Sequence, residues 1–269
     1  NALLDTDPGA RFLGEFSLSP DSILNPLPSV KFHSPSGLEV DYDPSAVDAV
    51  VVDRAVFDTS LLARATAAGA TFISGARVTR VQVTPEAAVV EIDGRAAVEA
   101  RTVILACGAS YGLQRQLGLG MPSVYLASAQ MELPAVRSGQ VEIYFGSQTA
   151  PAGFAWVVPV QRGAEHYVRV GLMCDGDAGH YFGRLVERVA GSWGLETPVG
   201  YQPRRRLLPL AAIRRTYADR VLAIGDAAGL VKPTTGGGIY YSLLSADLAA
   251  GTMVEALRNG DVGAARLAG

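Results

Sequence analysis

The sequence predicts an α/β fold of mixed α+β character, in which a Rossmann-like domain on parallel strands is interrupted by an antiparallel sheet domain. Three observations carry this. Two apolar runs end in glycine, RTVILACG at 101–108 and RVLAIG at 220–225, and unbroken apolar character marks a parallel strand covered on both faces. Between them, residues 123–173 hold four strand-like runs, VYLASAQMEL, QVEIYFG, GFAWVVPV and EHYVRVGLMC. A helical period over 238–258 then follows the second apolar run. The expected division is 1–122 with 203–269 for the Rossmann-like domain, and 123–202 for the inserted sheet.

In order, residues 1–49 are rich in Pro, Ser and Asp and read as loops, with a short strand near Leu38–Tyr42. VVVDR (50–54) reads as a strand end. Residues 57–70 read as a helix, with Phe57, Leu61, Leu62 and Ala65 at helical spacing and Gly69 as the stop. TFIS (71–74) reads as a buried strand. Antiparallel strands follow over 76–101, broken at Pro85-Glu86 and at Asp93-Gly94, a hairpin dipeptide. Residues 109–117 and 178–193 read as helices. In the last helix Ile239, Leu243, Ala246, Ala250, Val254 and Leu257 share a side, and Gly260 lies past the end.

Bulk properties narrow the functional classes. The 269 residues are 49% hydrophobic and 18% charged, which excludes a disordered chain. A net charge of −3 offers no basic field for nucleic acid. No apolar run reaches the ~20 residues of a spanning helix. The two cysteines, Cys107 and Cys174, lack CxxC spacing, which fits a reducing, cytoplasmic setting. His33, His166 and His180 lack metal spacing, so no metal is expected.

The stretch from Thr216 to Gly238 concentrates the chemistry. A strand stops at Gly225 and presents Asp226; Pro233 and three glycines, Gly236, Gly237 and Gly238, precede a long helix. A carboxylate at a strand end suits sugar hydroxyls, and bare helix-start amides suit an anion or a polar carbonyl.

Four segments then carry a resemblance. TYADRVLAIGDAAG (216–229) is similar to the threonine, apolar-strand, Gly-Asp pattern of FAD-dependent oxidoreductases. TVILACG (102–108) resembles their second strand motif. VVDRAVFDTSLLARATAAGA (51–70) resembles the Arg-x-x-Phe-Asp stretch of geranylgeranyl reductase-like flavoproteins, within the superfamily that also includes the p-hydroxybenzoate hydroxylase-like enzymes. APAGFAWVVPV (150–160) is similar to their Tyr-x-Trp-x-Phe-Pro motif. The resemblance covers about residues 50–260. It implies a flavoprotein that binds FAD, with Arg54, Val78, Gly108, Gly225, Asp226, Pro233, Gly236, Gly237 and Gly238 at the cofactor. Phe154, Trp156 and Pro159 would line the substrate side. Asp226 would accept from a ribityl hydroxyl, and the glycines would let backbone approach the flavin ring.

The departures also inform. The superfamily's opening GxGxxG and its ribose-binding acidic residue are not in this sequence, so the first βαβ unit would lie upstream of Asn1. Cys107 stands where hydroxylases carry aspartate; without a partner thiol nearby it is expected to be a buried small residue. The reductases' first aromatic is Phe154 here, and Val158 and Val160 replace a later aromatic and a lysine. GASYG (108–112) fits the GxSxG spacing of a nucleophile elbow, but without an HGGG-like loop.

The resemblance implies reduction of C=C bonds in an apolar, isoprenoid-like substrate by hydride from reduced flavin. The flavin's electrons would come from an external donor, NAD(P)H or ferredoxin. No residue is assigned as proton donor. The alternatives are a flavin monooxygenase or halogenase, and a non-catalytic nucleotide-binding module or decayed relative. Peripheral contact with a membrane is left open by such a substrate.

Overall fold

The structure is a computed structural model and describes residues 3–5, 18–43, 49–196, 200–232 and 234–268. Pro233 therefore lies outside the described residues. The chain forms two compact units: the described part of Asn1–Ala68 with Leu126–Leu208, and Gly69–Tyr125 with Pro209–Gly269. The expected division put residues 1–68 elsewhere. The strand Val30–His33 pairs in parallel with Val141–Tyr144, and Glu39–Tyr42 extends that edge, so both belong to the large sheet.

The first unit is built on a seven-stranded sheet in the order Arg204–Pro209, Tyr125–Pro134, Glu165–Cys174, Phe154–Arg162, Val141–Tyr144, Val30–His33, Glu39–Tyr42. The four strands expected from 123–173 are all present. One sheet face packs under the helix Ala178–Trp193, where Phe182, Leu185 and Val189 meet Ala129, Leu133, Val157, Val170 and Leu172. Each such large apolar side chain contributes about 1.5–3 kcal/mol when fully buried. Asp177 caps this helix by accepting the N–H groups of Gly179 and His180, and Gly194 ends it at φ 59°. On the opposite face a three-stranded sheet, Leu3–Asp5, Ala49–Val52 and Ile23–Leu27, sets Leu27 and Val51 on Val141, Val158 and Val160.

Strands Ile23–Leu27 and Val30–His33 replace the expected loops. Among the described residues Ile23–Leu27 pairs on one side only, and it is bulged between Ile23 and Asn25. Such an edge tolerates Pro26 and blurs alternation. The next helix is Arg54–Ala67, starting before Phe57, because Asp53 accepts from the amides of Ala55 and Val56 at 2.9 and 3.3 Å.

The second unit holds two three-stranded sheets. Val78–Val83, Ala88–Ile92 and Val98–Ala100 form the expected meander. Its Asp93-Gly94 turn has Gly94 at φ 64°, and Arg95 N–H donates to Ile92 O at 3.1 Å. In the other sheet Val221–Ala223 lies between Tyr217–Ala218 and Val103–Leu105, and its pairing with Val103–Leu105 is parallel. Leu105, Tyr111, Leu119, Ile213, Val221 and Ala223 form the core here, while Leu222 packs under Ala249 and Met253 of the helix Ile239–Asn259. That helix ends at Gly260, φ 69°.

Two expectations fail in this unit. Residues 71–74 form no strand, and Phe72 and Ile73 are 60% and 46% exposed. Ile104 is 42% exposed while Leu105 is buried, so Val103–Leu105, an edge strand among the described residues, is covered on one face only. A short apolar run reads as buried only if neighbours flank it, and periodicity alone does not report neighbours.

Candidate functional site

In the second unit the strand Val221–Ala223 runs through an extended Ile224 into a 3-10 turn, Gly225–Ala228. Ile224 N–H donates to Leu105 O at 3.0 Å, which ties the two parallel strands where the turn begins. Gly225 has φ 53°, and a Cβ there would stand 2.7 Å from Ser242 Oγ, so both conformation and space require glycine. Its own N–H donates to Ser245 Oγ at 3.0 Å. Two further side chains hold the turn: Tyr111 Oη donates to Asp226 O at 2.7 Å, and the buried Gln114 donates through Nε2 to Ala227 O at 3.0 Å. Burial pushes the Tyr111 phenol well above its ordinary range, which keeps it protonated and donating.

The loop after the turn closes on itself. Lys232 bridges Gly237, with Lys232 N–H donating to Gly237 O at 3.0 Å, and Gly236 N–H reaches Lys232 O at 2.9 Å. Gly236 has φ 66°. Gly238 is the N-cap of Ile239–Asn259, and no side chain caps it. A Cβ on Gly238 would lie 2.7 Å from Asp226 Oδ1, so the carboxylate rests directly against this backbone. The structure thus brings Gly225, Asp226 and Gly238 together at a helix's positive end.

Gly108 follows the strand Val103–Leu105 at φ 62°, and its carbonyl accepts from Ser110 N–H at 2.8 Å. Cys107 is exposed, against expectation. Its thiol donates to Ser110 O at 3.3 Å and accepts from Gln114 Nε2 at 3.4 Å, because the chain leaves the sheet before Cys107 and turns outward. Val78 is 38% exposed at the head of its strand, not a core residue. Gln116 donates to Thr79 O at 3.2 Å, so the short helix Gly112–Gln116 connects that strand to the Asp226 turn. Tyr111 and Gln114 escaped sequence reasoning. Their only signal was a tyrosine and a glutamine three residues apart, at the start of a short polar helix after Gly108.

In the first unit Phe154 and Trp156 share a sheet face, with ring centroids 5.6 Å apart. The indole lies over Gly171, where a Cβ would come within 2.5 Å of the ring. The strand alternates without a break, so Pro159 projects to the opposite, helix-bearing face. Its carbonyl accepts from Asn25 Nδ2 at 3.2 Å. Phe145, one residue past the neighbouring strand Val141–Tyr144, and Phe32, on the strand beyond it, extend the aromatic row, with centroids 6.4 Å (Phe154–Phe145) and 6.2 Å (Phe145–Phe32) apart. Arg54 pairs with Asp58 one helical turn on, through two bonds of 3.1 and 3.2 Å, and stays solvent-exposed.

An ion network at one end of the aromatic face was not expected. Glu132 receives Arg162 Nε at 2.6 Å and Arg169 Nη2 at 2.9 Å, and Arg162 Nη1 reaches Asp53 Oδ2 at 2.7 Å. Burial works to raise the Glu132 pKa, but the bonds from Arg162 and Arg169 outweigh it and hold the carboxyl below its usual value. The Arg162 bond likewise lowers Asp53. Among the described residues no His, Cys, Asp and Glu group is arranged to hold a metal ion.

Fold and site together define a class, the FAD-binding flavoprotein fold. Its structural likenesses include a geranylgeranyl bacteriochlorophyll reductase-like protein from Thermoplasma acidophilum, with a TM-score of 0.85 at 22% identity over 98% of this chain and 70% of that one. A variant of the halogenase PltM in complex with FAD superposes with a TM-score of 0.71 at 15% identity, over 93% of this chain and 57% of that one. Residues 39–267 match the family described as lycopene cyclase protein, and the chain belongs to that family. Among curated relatives, the digeranylgeranylglycerophospholipid reductase of Methanocaldococcus jannaschii is 29% identical over 256 residues, 85% of this chain. Reductase 1 of Methanopyrus kandleri is 30% identical over 283 residues, 96% of this chain. The chain spans 61% of the first relative's length and 72% of the second's.

Proposed function

We propose that this chain acts as an FAD-dependent oxidoreductase that reduces C=C bonds of an isoprenoid-like lipid. The observation that carries the reading is the Asp226 carboxylate, held at the end of a parallel strand against Gly238 at an uncapped helix start. That arrangement offers an acceptor for sugar hydroxyls beside amides suited to an electron-rich ring edge. The residues fit the group: Gly225 and Gly238 each lack the Cβ that would crowd the turn. The relatives named for isoprenoid phospholipids and the aromatic row from Phe32 to Trp156 support the substrate class. The parallel pair Val103–Leu105 and Val221–Ala223 supports a Rossmann-like reading of the second unit.

FAD, when bound, supplies the hydride chemistry. The chain's own groups orient and stabilise. Asp226 accepts hydrogen bonds, with Tyr111 and Gln114 fixing its turn. The first-turn amides of Ile239–Asn259 stabilise negative charge. Phe154 and Trp156 present a dry apolar wall to the lipid chain. No helix among the described residues is long and apolar enough to cross a membrane. On its two cysteines without CxxC spacing we place the protein in the cytoplasm, with an external NAD(P)H or ferredoxin donor. The test is to purify the protein with whatever sequence flanks it in its gene and record its absorbance spectrum. A flavin spectrum bleached on reduction and restored by an isoprenoid alkene under anaerobic conditions is expected. A colourless protein that takes up no FAD would overturn the reading. Restoration only with oxygen would instead indicate monooxygenase or halogenase chemistry.

A further inference from the structure

Three successive arginines, Arg204, Arg205 and Arg206, form the exposed start of the edge strand Arg204–Pro209. Among the described residues none of the three makes an ion pair with a carboxylate, although the same sheet pairs Arg162 and Arg169 with Glu132. Exposed edge charges commonly only discourage edge-to-edge association, but these side chains divide between two faces. The Arg205 guanidinium lies across Gly179, in the first turn of the helix that covers one face; a Cβ on Gly179 would stand 2.2 Å from Arg205 Nη2. Strand alternation then places Arg204 and Arg206 on the other face. That is the face of Trp156.

Cross-strand register orders what lies between. Gln130 stands opposite Gly171, and Gly171 opposite Trp156; Ser128 stands opposite Met173, and Met173 opposite Phe154. Ser128 Oγ donates to Arg206 O at 3.1 Å, which sets Arg206 abreast of the Ser128–Phe154 row. From the edge strand to the Phe154–Arg162 strand is three strand spacings, ~14 Å at about 4.8 Å each. The face therefore runs from two cations, past Ser128 and the buried Met173, to an aromatic floor.

We infer that Arg204 and Arg206 bind the phosphate head of the isoprenoid substrate, whose chain runs past Ser128 to lie on Phe154 and on the Trp156 indole that covers Gly171. The inference rests on the proposed function and names its headgroup site. Val160 stands where the resemblance puts a lysine in some reductases, and the two guanidiniums supply positive charge at the other end of the face, with the forked geometry that suits phosphate oxygens.

The test measures binding of geranylgeranyl phosphate and of uncharged geranylgeraniol to the purified protein, by titration calorimetry at fixed ionic strength. The wild type is expected to bind the phosphate at least about tenfold more tightly, as charge-assisted hydrogen bonds of about 1.5–3 kcal/mol allow. The double variant R204A/R206A is expected to close that gap to about twofold by weakening the phosphate alone. R205A, on the helix side, is expected to keep it. Absence of a gap in the wild type, an undiminished gap in R204A/R206A, or an equal loss in R205A would each overturn the inference. Co-sedimentation with phosphatidylglycerol vesicles free of isoprenoid is the second arm. If the double substitution weakens vesicle binding and leaves the prenyl-phosphate gap intact, the arginines serve a membrane surface and the inference falls. Flavin absorbance of the same samples separates the two readings: a gap without flavin removes the proposed function alone, and flavin without a gap removes this inference alone.

Discussion

Replacing Gly238 by alanine isolates the contact on which the cofactor reading stands. The backbone at Gly238 has φ −97° and ψ −19°, which alanine adopts freely, so no conformational strain enters. Space is the only conflict: the new methyl would sit 2.7 Å from Asp226 Oδ1 and 3.6 Å from its Cγ. Either the carboxylate turns away from its rotamer, at about 0.5–1.5 kcal/mol, or the helix start retreats. Both move the acceptor away from a sugar hydroxyl, and a charge-assisted hydrogen bond is worth about 1.5–3 kcal/mol. FAD affinity is therefore expected to fall about 10–100-fold. Gly251→Ala, further along the same helix, is the control, since its methyl would meet nothing within 4 Å. Quenching of flavin fluorescence on titration gives both dissociation constants, and a thermal melt reports the fold. Equal affinity in G238A and wild type, or equal losses in G238A and G251A, would refute the reasoning.

The remaining predictions concern stability and packing. Gly171→Ala forces the Trp156 indole to shift and is expected to cost about 1–3 kcal/mol, read as a lowered melting temperature with a changed near-UV dichroism spectrum; an unchanged spectrum would count against the packing described. Tyr111→Phe removes the bond to Asp226 O and is expected to cost about 1 kcal/mol in denaturant unfolding. Glu132→Ala takes a carboxylate from Arg162 and Arg169; because Glu132 is 24% exposed, the expected cost is about 2–3 kcal/mol rather than the about 3–5 of full burial. Asp53 and Glu132 both have depressed folded-state pKa values. Their contribution is thus complete above the unfolded carboxylate range, near about 4, and is lost as pH falls through the folded values. The acid limb of the stability curve should flatten in E132A, and an identical limb in wild type and variant would show the network adds nothing.

Much of this architecture was legible because its signals are local. The helix Ala178–Trp193 shows its period in its own residues, and Gly260 marks the end of Ile239–Asn259 wherever the helix packs. Asp226 was legible because a glycine, a carboxylate and an apolar strand are adjacent in the chain. What failed depends on distant neighbours. Nothing within residues 71–74 reports whether a strand lies beside them, and Ile104 looks like a core residue until its edge position is known. Val30–His33 becomes a strand because Val141–Tyr144, far along the chain, accepts it. Pro159 was grouped with Phe154 and Trp156 by motif, although alternation sends it to the other face. The Glu132 network joins Asp53, Arg162 and Arg169 across long separations that spacing does not encode.

The edge position of Val103–Leu105 also bears on how the protein behaves in a test tube. No strand among the described residues pairs with its outer side, so its backbone groups there and the exposed Ile104 side chain offer a template to which a strand of another molecule can add. Phe72 and Ile73, exposed in the same unit, add adhesive surface. Concentrated preparations are therefore prone to turbidity and slow precipitation. A lysine at position 104, where the side chain already meets water, is the change that should keep them clear without disturbing the parallel pairing beneath.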